Sequence, residues 1–172
     1  CVIIDGMGSH VQLNTPHFEK GSYGRESISV YYFEYPNKFV EVYREVVVPF
    51  DCNTYYKDWN MKITSNISPG LMFQKTCESI GMRWYDAGKL MSMASYGKDN
   101  VDIKDSFFVG SDLRHFKLDY KLDTFQEQCD FAKSLQLKCQ DKVKNIIIDS
   151  VKRTGCKNVC MSGGYFLNCV SN

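Results

Sequence analysis

Asn158-Val-Cys-Met-Ser-Gly-Gly-Tyr-Phe-Leu-Asn168 is the stretch on which the fold turns. It follows a long helical pattern, reads as a short buried strand, and breaks at Ser162-Gly163-Gly164 before the apolar run Tyr165–Leu167. A strand that ends in Gly-Gly ahead of a helix lets a ligand approach the backbone, and the first amides of that helix then point at an anionic group. Read alone, the same residues also describe a tight strand-to-helix connection with close packing. A second loop of the same kind, Asp5-Gly6-Met7-Gly8, stands near the other end of the chain, behind the apolar run Cys1–Ile4.

Between the two loops the pattern changes once. Ser27–Tyr35 is rich in β-branched and aromatic residues, as is Phe39–Val48, which Pro49 closes. With Cys1–Ile4 and a returning strand at Val11–Asn14, they predict an antiparallel meander. Residues 51–66 are polar and aromatic without a clear period. Ser68-Pro69-Gly70 opens a helix that stops at Gly81, since Ser caps and Pro suits the first position. A short helix is expected around Lys89–Ala94, and residues 98–123 read as an irregular insertion that packs its aromatics on the domain. Thr124-Phe-Gln-Glu127 is a capping box. The apolar positions Phe131, Leu135, Cys139, Val143, Ile147 and Val151 then predict one helix ending at Gly155. About 30 residues at 1.5 Å each make about 45 Å, so this helix crosses a whole domain or kinks near Leu135–Gln136. Strands mixed with flanking helices give an α/β class, with a mixed sheet of α+β character.

Composition excludes several functions. The 172 residues suffice for one domain, and 44% are hydrophobic. A net charge of +1 with interleaved signs gives no footprint for nucleic acid or an acidic membrane surface. No apolar run approaches the roughly 20 residues of a membrane helix. The eight cysteines lack zinc spacing: Cys156 and Cys160 are four apart and have no matching pair. Cys1, Cys52, Cys77, Cys129 and Cys139 fall in apolar-patterned segments, so buried free thiols in a reducing, cytoplasmic setting are expected. The opening on Cys1 inside a strand, and the close on Val170–Asn172 inside a helical turn, read as an internal fragment of a longer protein.

Three loops carry candidate chemistry. Asp5, after a buried strand and before Gly-x-Gly, can hold a divalent ion or its water while Gly6 and Gly8 bring amides near phosphate oxygens; an aspartate capping its own turn has the same pattern. Gly163 and Gly164 let a nucleotide lie on the backbone, with Asn168 one turn on to hydrogen-bond it. Lys89, behind Gly88 in a small-residue loop, can reach a phosphate, although P-loop spacing is missing; a solvated lysine reads the same. His10, His17 and His115 form no His-x-x-x-His pair and have no Ser or Cys partner at an interpretable spacing.

Together these blocks resemble the O-carbamoyltransferases of the nodulation and antibiotic-biosynthesis type, which have the actin–sugar kinase–heat-shock ATPase (ribonuclease H-like) fold. Val2-Ile3-Ile4-Asp5-Gly6-Met7-Gly8 looks like that family's "LTLDGVGE", Gly81-Met82 through Ala87-Gly-Lys-Leu-Met-Ser-Met-Ala-Ser-Tyr-Gly97 like "LGF…AGKVMGLAPYG", and Asn158–Asn172 like "NLCLAGGVALNCVAN". Glu26-Ser27-Ile28-Ser29 fits "ESTS" more loosely. The resemblance implies a kinase-like domain that holds carbamoyl-adenylate, made by a downstream adenylate-forming domain from ATP and carbamoyl phosphate, and passes the carbamoyl group to a small-molecule hydroxyl. It further implies a divalent metal ion (Fe or Mg) on Asp5, phosphate contacts at Gly6 and Gly8, and nucleotide contacts at Gly163, Gly164 and Asn168. No nucleic acid or membrane partner is implied, and a homodimer is left open. Ser9 stands where the family often has Glu, and Ser95 replaces the proline of "APYG". The metal-binding histidine pair and a further metal aspartate fall outside the chain, so the chain alone is expected to be inactive, and a nucleotide- or metal-binding module without transferase activity is the alternative.

Overall fold

The computed structural model describes residues 1–13, 18, 21–110 and 115–171. In chain order the elements are β1 (Val2–Ile4), β2 (His10–Gln12), β3 (Tyr23–Glu34), β4 (Lys38–Val47), β5 (Asn53–Tyr56), β6 (Met61–Thr64), α1 (Pro69–Ser79), α2 (Ala87–Met93), β7 (Phe108–Val109), β8 (Lys117–Leu118), α3 (Phe125–Thr154) and β9 (Met161–Ser162). A mixed sheet of order β5-β6-β4-β3-β1-β9, with β2 beside β3, is covered by helices. The chain is therefore of mixed α/β class.

The meander holds. β1 pairs antiparallel with β3, and β3 with β2 and β4. Two parallel pairings flank it, β4 with β6 and β1 with β9. The returning strand is described only over His10–Gln12; Asn14 and His17 lie outside the described residues. The unpatterned segment 51–66 contains β5 and β6, which pair antiparallel around a 3-10 turn ended by Asn60 at φ +47°. β5 lies at the sheet's edge and keeps its side chains largely exposed, so it carries no buried–exposed alternation to read.

Helix α1 begins as its residues dictate: the Ser68 hydroxyl accepts from the Leu71 N–H, and Pro69 takes the first position. At α3 both halves of the capping box form, and Gly155 ends the helix at φ +67°. The helix passes Leu135–Gln136 unbroken over 30 residues, because both side chains there are buried against the domain. Phe131, Ala132, Leu135, Cys139 and Val143 of α3 and Leu71, Phe73 and Cys77 of α1 form one core with Val2, Ile4, Ile28 and Val30 of the sheet. Each fully buried Leu, Ile or Phe in such a core contributes about 2 kcal/mol. Phe107 and Tyr120, 4.7 Å apart between ring centres, carry the segment before α3 onto Phe131, 5.2 Å from Tyr120.

An ion pair with a buried carboxylate and a partly exposed lysine joins α3 to the sheet. Glu45 of β4 is 1% exposed. Its carboxylate accepts from Lys142 Nζ at 2.8 Å, Ser27 Oγ at 3.2 Å and Tyr43 OH at 3.1 Å. Burial, and then the Glu45 charge, push the Tyr43 hydroxyl far above its usual range. A buried charge without partners would cost several kcal/mol, and here every partner is supplied.

All eight cysteines are free thiols. Cys77, Cys129 and Cys139 are buried as expected, but Cys1 is exposed at the start of β1 and Cys52 is partly exposed. Among the described residues no helix is long and apolar enough to cross a membrane.

Candidate functional site

The two glycine loops meet. β1 and β9 are parallel neighbours, so Asp5-Gly6-Met7-Gly8 and Ser162-Gly163-Gly164 leave the sheet side by side, at the carboxyl ends of both strands. Open α/β sheets bind ligands at such ends. Gly163 has φ +99°, and a Cβ there would lie 2.2 Å from the Ile4 carbonyl oxygen. Only glycine can cross the end of β1 this closely. One residue on, a Cβ at Gly164 would lie 3.2 Å from Asp5 Oδ1, so the Asp5 carboxylate borders the second glycine loop.

Asp5 is exposed. Its Oδ1 accepts from its own Gly6 N–H at 2.7 Å, and its backbone N–H donates to Ser27 O at 3.1 Å. The capping role is thus served by Oδ1. Gly8 closes the turn against β3, its N–H donating to Glu26 O at 2.8 Å.

A third wall comes from a segment that the sequence offered only as a helix start. Ser68 Oγ donates to Gly6 O at 2.7 Å while it caps α1. Gly70 lies so close that a Cβ there would be 2.8 Å from Gly6 N. The close approach is enforced from Gly70, since a Cβ on Gly6 itself would meet only ordinary contacts at 3.8 Å. Arg25 of β3 adds a cation, with Nη1 donating to Gly8 O at 3.1 Å. The Ser-Pro-Gly run marks a helix start in any fold, and nothing in the spacing of Arg25 ties it to residues 5–8; only the sheet register does.

Two expected site residues have protein partners of their own. Asn168 is fully buried, with Nδ2 donating to Gln136 Oε1 at 2.9 Å and Oδ1 accepting from the Val170 N–H at 3.2 Å. Its amide braces the end of the chain on α3 instead of facing a ligand. Lys89 is 69% exposed and paired with Asp86 at 2.9 Å; this pair, with its hydrogen bond first, holds the Asp86 carboxyl below the usual range. The ion-pair partner of Lys89 among the described residues is Asp86, not a group of the glycine loops. The apolar run after Gly163 forms a four-residue 3-10 turn, Gly164–Leu167, and not the longer helix whose amides would gather an anion. Tyr165 and Phe166 are buried on α1 and the core, and that burial holds the turn.

Asp5 does not make a metal centre by itself. Among the described residues no group of three or more His, Cys, Asp or Glu side chains is placed to hold an ion. His10 is exposed on β2 and packs against Tyr23. The donor set fits one ligand of a divalent ion, not a complete shell.

An open cavity of about 650 Å³ lies at the opposite ends of the same strands. Val2, Val30, Ile147, Val151 and Val159 line it, with Cys1 and Cys160 beside them. Beneath the glycine turn there is only a pit of about 10 Å³, the room for about one water. Volume and polar chemistry therefore separate, and the site follows the chemistry: the glycine end offers a carboxylate, a guanidinium and close-set backbone, whereas the cavity offers apolar walls.

No protein-family model matches the chain, and no curated protein matches it.

Proposed function

We propose that this chain is the nucleotide-holding part of an ATP-dependent O-carbamoyltransferase, of ribonuclease H-like fold within the actin–sugar kinase–heat-shock ATPase class. One observation carries the reading: Asp5-Gly6-Met7-Gly8 and Ser162-Gly163-Gly164, from opposite ends of the chain, converge at the carboxyl ends of two parallel strands. The order β4-β3-β1-β9, antiparallel twice and then parallel, supports the fold assignment.

In this reading Gly163 and Gly164 let the nucleotide lie flat on the backbone, and Gly6 and Gly8 form the turn that a phosphate approaches. The Gly6 and Gly8 amides are already used, on Asp5 Oδ1 and Glu26 O, so a fixed cation is left to stabilise charge that develops on transfer without having to reorganise. Asp5 contributes one carboxylate oxygen toward a divalent ion, which would neutralise phosphate charge when bound; the described residues supply no further ligand, and no step is assigned to the ion. ATP, carbamoyl phosphate and a small-molecule hydroxyl are the implied reactants, and a downstream adenylate-forming domain the implied partner.

A second reading is a nucleotide-binding module without transfer activity. The engagement of Asn168 with Gln136 and of Lys89 with Asp86 favours it, because both polar side chains expected beside Asp5 already have protein partners. The test is carbamoyl-phosphate-dependent AMP release from ATP by the full-length protein that carries this chain. Release that falls at least 100-fold in Asp5→Ala supports the transferase; nucleotide binding with no release supports the module.

A further inference from the structure

Arg25 has no role in the sequence pattern, yet its position is unusual. It sits near the start of β3, between His10 of β2 and Val47 of β4, so its backbone is fixed on both sides. The side chain is half-buried and lines the pit under the glycine turn with Gly6, Met7 and Ser68. One N–H, on Nη1, is used on Gly8 O at 3.1 Å. A guanidinium carries five such donors in a rigid fork. Among the described residues no carboxylate stands within 4.0 Å of it. Arg44, on the neighbouring strand, shows the contrast: it is flanked by Glu26 at 3.4 Å and by Glu41. Glu26 follows Arg25 directly in the chain but is turned to Arg44 and Ser29.

A half-buried guanidinium beside a glycine turn, with no acid beside it among the described residues, is matched by an anion with several acceptor oxygens. We propose that Arg25 binds a phosphoryl group lying against Gly6–Gly8, through the donors that Gly8 leaves free. This rests on the nucleotide reading above and names the residue that supplies its positive charge. The phosphoryl group can belong to a nucleotide, to carbamoyl phosphate or to inorganic phosphate; the chemistry seen by Arg25 is the same.

The test is calorimetry on the chain with ADP, carbamoyl phosphate, inorganic phosphate and adenosine as separate probes, in wild type, Arg25→Lys and Arg25→Met. A folded state for each variant is checked by thermal melting. Arg25→Met is expected to weaken ADP at least 10-fold and leave adenosine unchanged, with Arg25→Lys in between, because it keeps the charge but loses the fork. Weakening of carbamoyl phosphate or inorganic phosphate alone would support the contact and assign it to that source. Equal affinity of wild type and Arg25→Met for every phosphate probe, with ADP still bound, would overturn the proposal while leaving the nucleotide reading standing. Equal loss of ADP and adenosine would overturn it too, since the turn would then have moved once Gly8 lost its partner. Absence of binding by wild type to every phosphate probe would overturn both.

Discussion

The two ends of the β1–β9 pair are built from the same strands and differ in almost every physical respect. At the carboxyl end three contacts run backbone to backbone: Gly163 over Ile4, Gly70 against Gly6, and Gly8 on Glu26. At the amino end the strands open into an apolar cavity of about 650 Å³. The first arrangement is costly to assemble, because it needs glycine at an unusual backbone angle and short polar contacts in register. The second needs only apolar side chains that fail to meet. Under the proposed function, constraint without volume is the mark of the ligand end, and volume without constraint that of a gap in packing.

The largest effect should come from breaking the constrained end. Gly163→Ala forces a side chain onto the Ile4 carbonyl and into a φ range that side chains avoid, and is expected to destabilise by about 3 kcal/mol or more. Cys160→Ala, exposed and beside the cavity, should stay within about 0.5 kcal/mol. Urea unfolding of both variants measures the contrast; equal midpoints would erase it.

A smaller effect, read without mutation, is thiol reactivity at pH 8. Burial pushes the Cys139 thiol up to about 12 and Cys77 up to about 11. At pH 8 about one Cys139 in 10,000 is then thiolate, against about one in four for an ordinary cysteine. Cys1, Cys160 and Cys169 are exposed and should react with an aromatic disulfide reagent at once, while Cys77, Cys129 and Cys139 wait for unfolding. Prompt labelling of Cys139 would show that α3 is not packed as described.

Much of this fold was legible in the sequence because local chemistry and tertiary packing agree there. Ser68-Pro69, Thr124 with Glu127, and Gly155 each specify a helix end by satisfying backbone groups that no other contact reaches, and each does so. β5 and β6 escaped notice because a mostly exposed edge strand and its short partner leave little alternation to read. The glycine loops were legible as loops, since Gly-Gly and Gly-x-Gly have few other uses. Their neighbours were not. Asn168 lies close to Gly164 in sequence, but the 3-10 turn buries it against Gln136 of α3, a contact no spacing announces. Ser68 and Arg25 join the site only through sheet register and helix docking, which put them beside Gly6 and Gly8 from far along the chain.

The most direct measurement of the central claim is backbone amide exchange of the chain with and without saturating ADP. Slowed exchange confined to Asp5–Gly8 and Ser162–Gly164, with Val30, Ile147 and Cys160 unchanged, is the result this account expects. Slowing at the apolar end, or at neither, would contradict it.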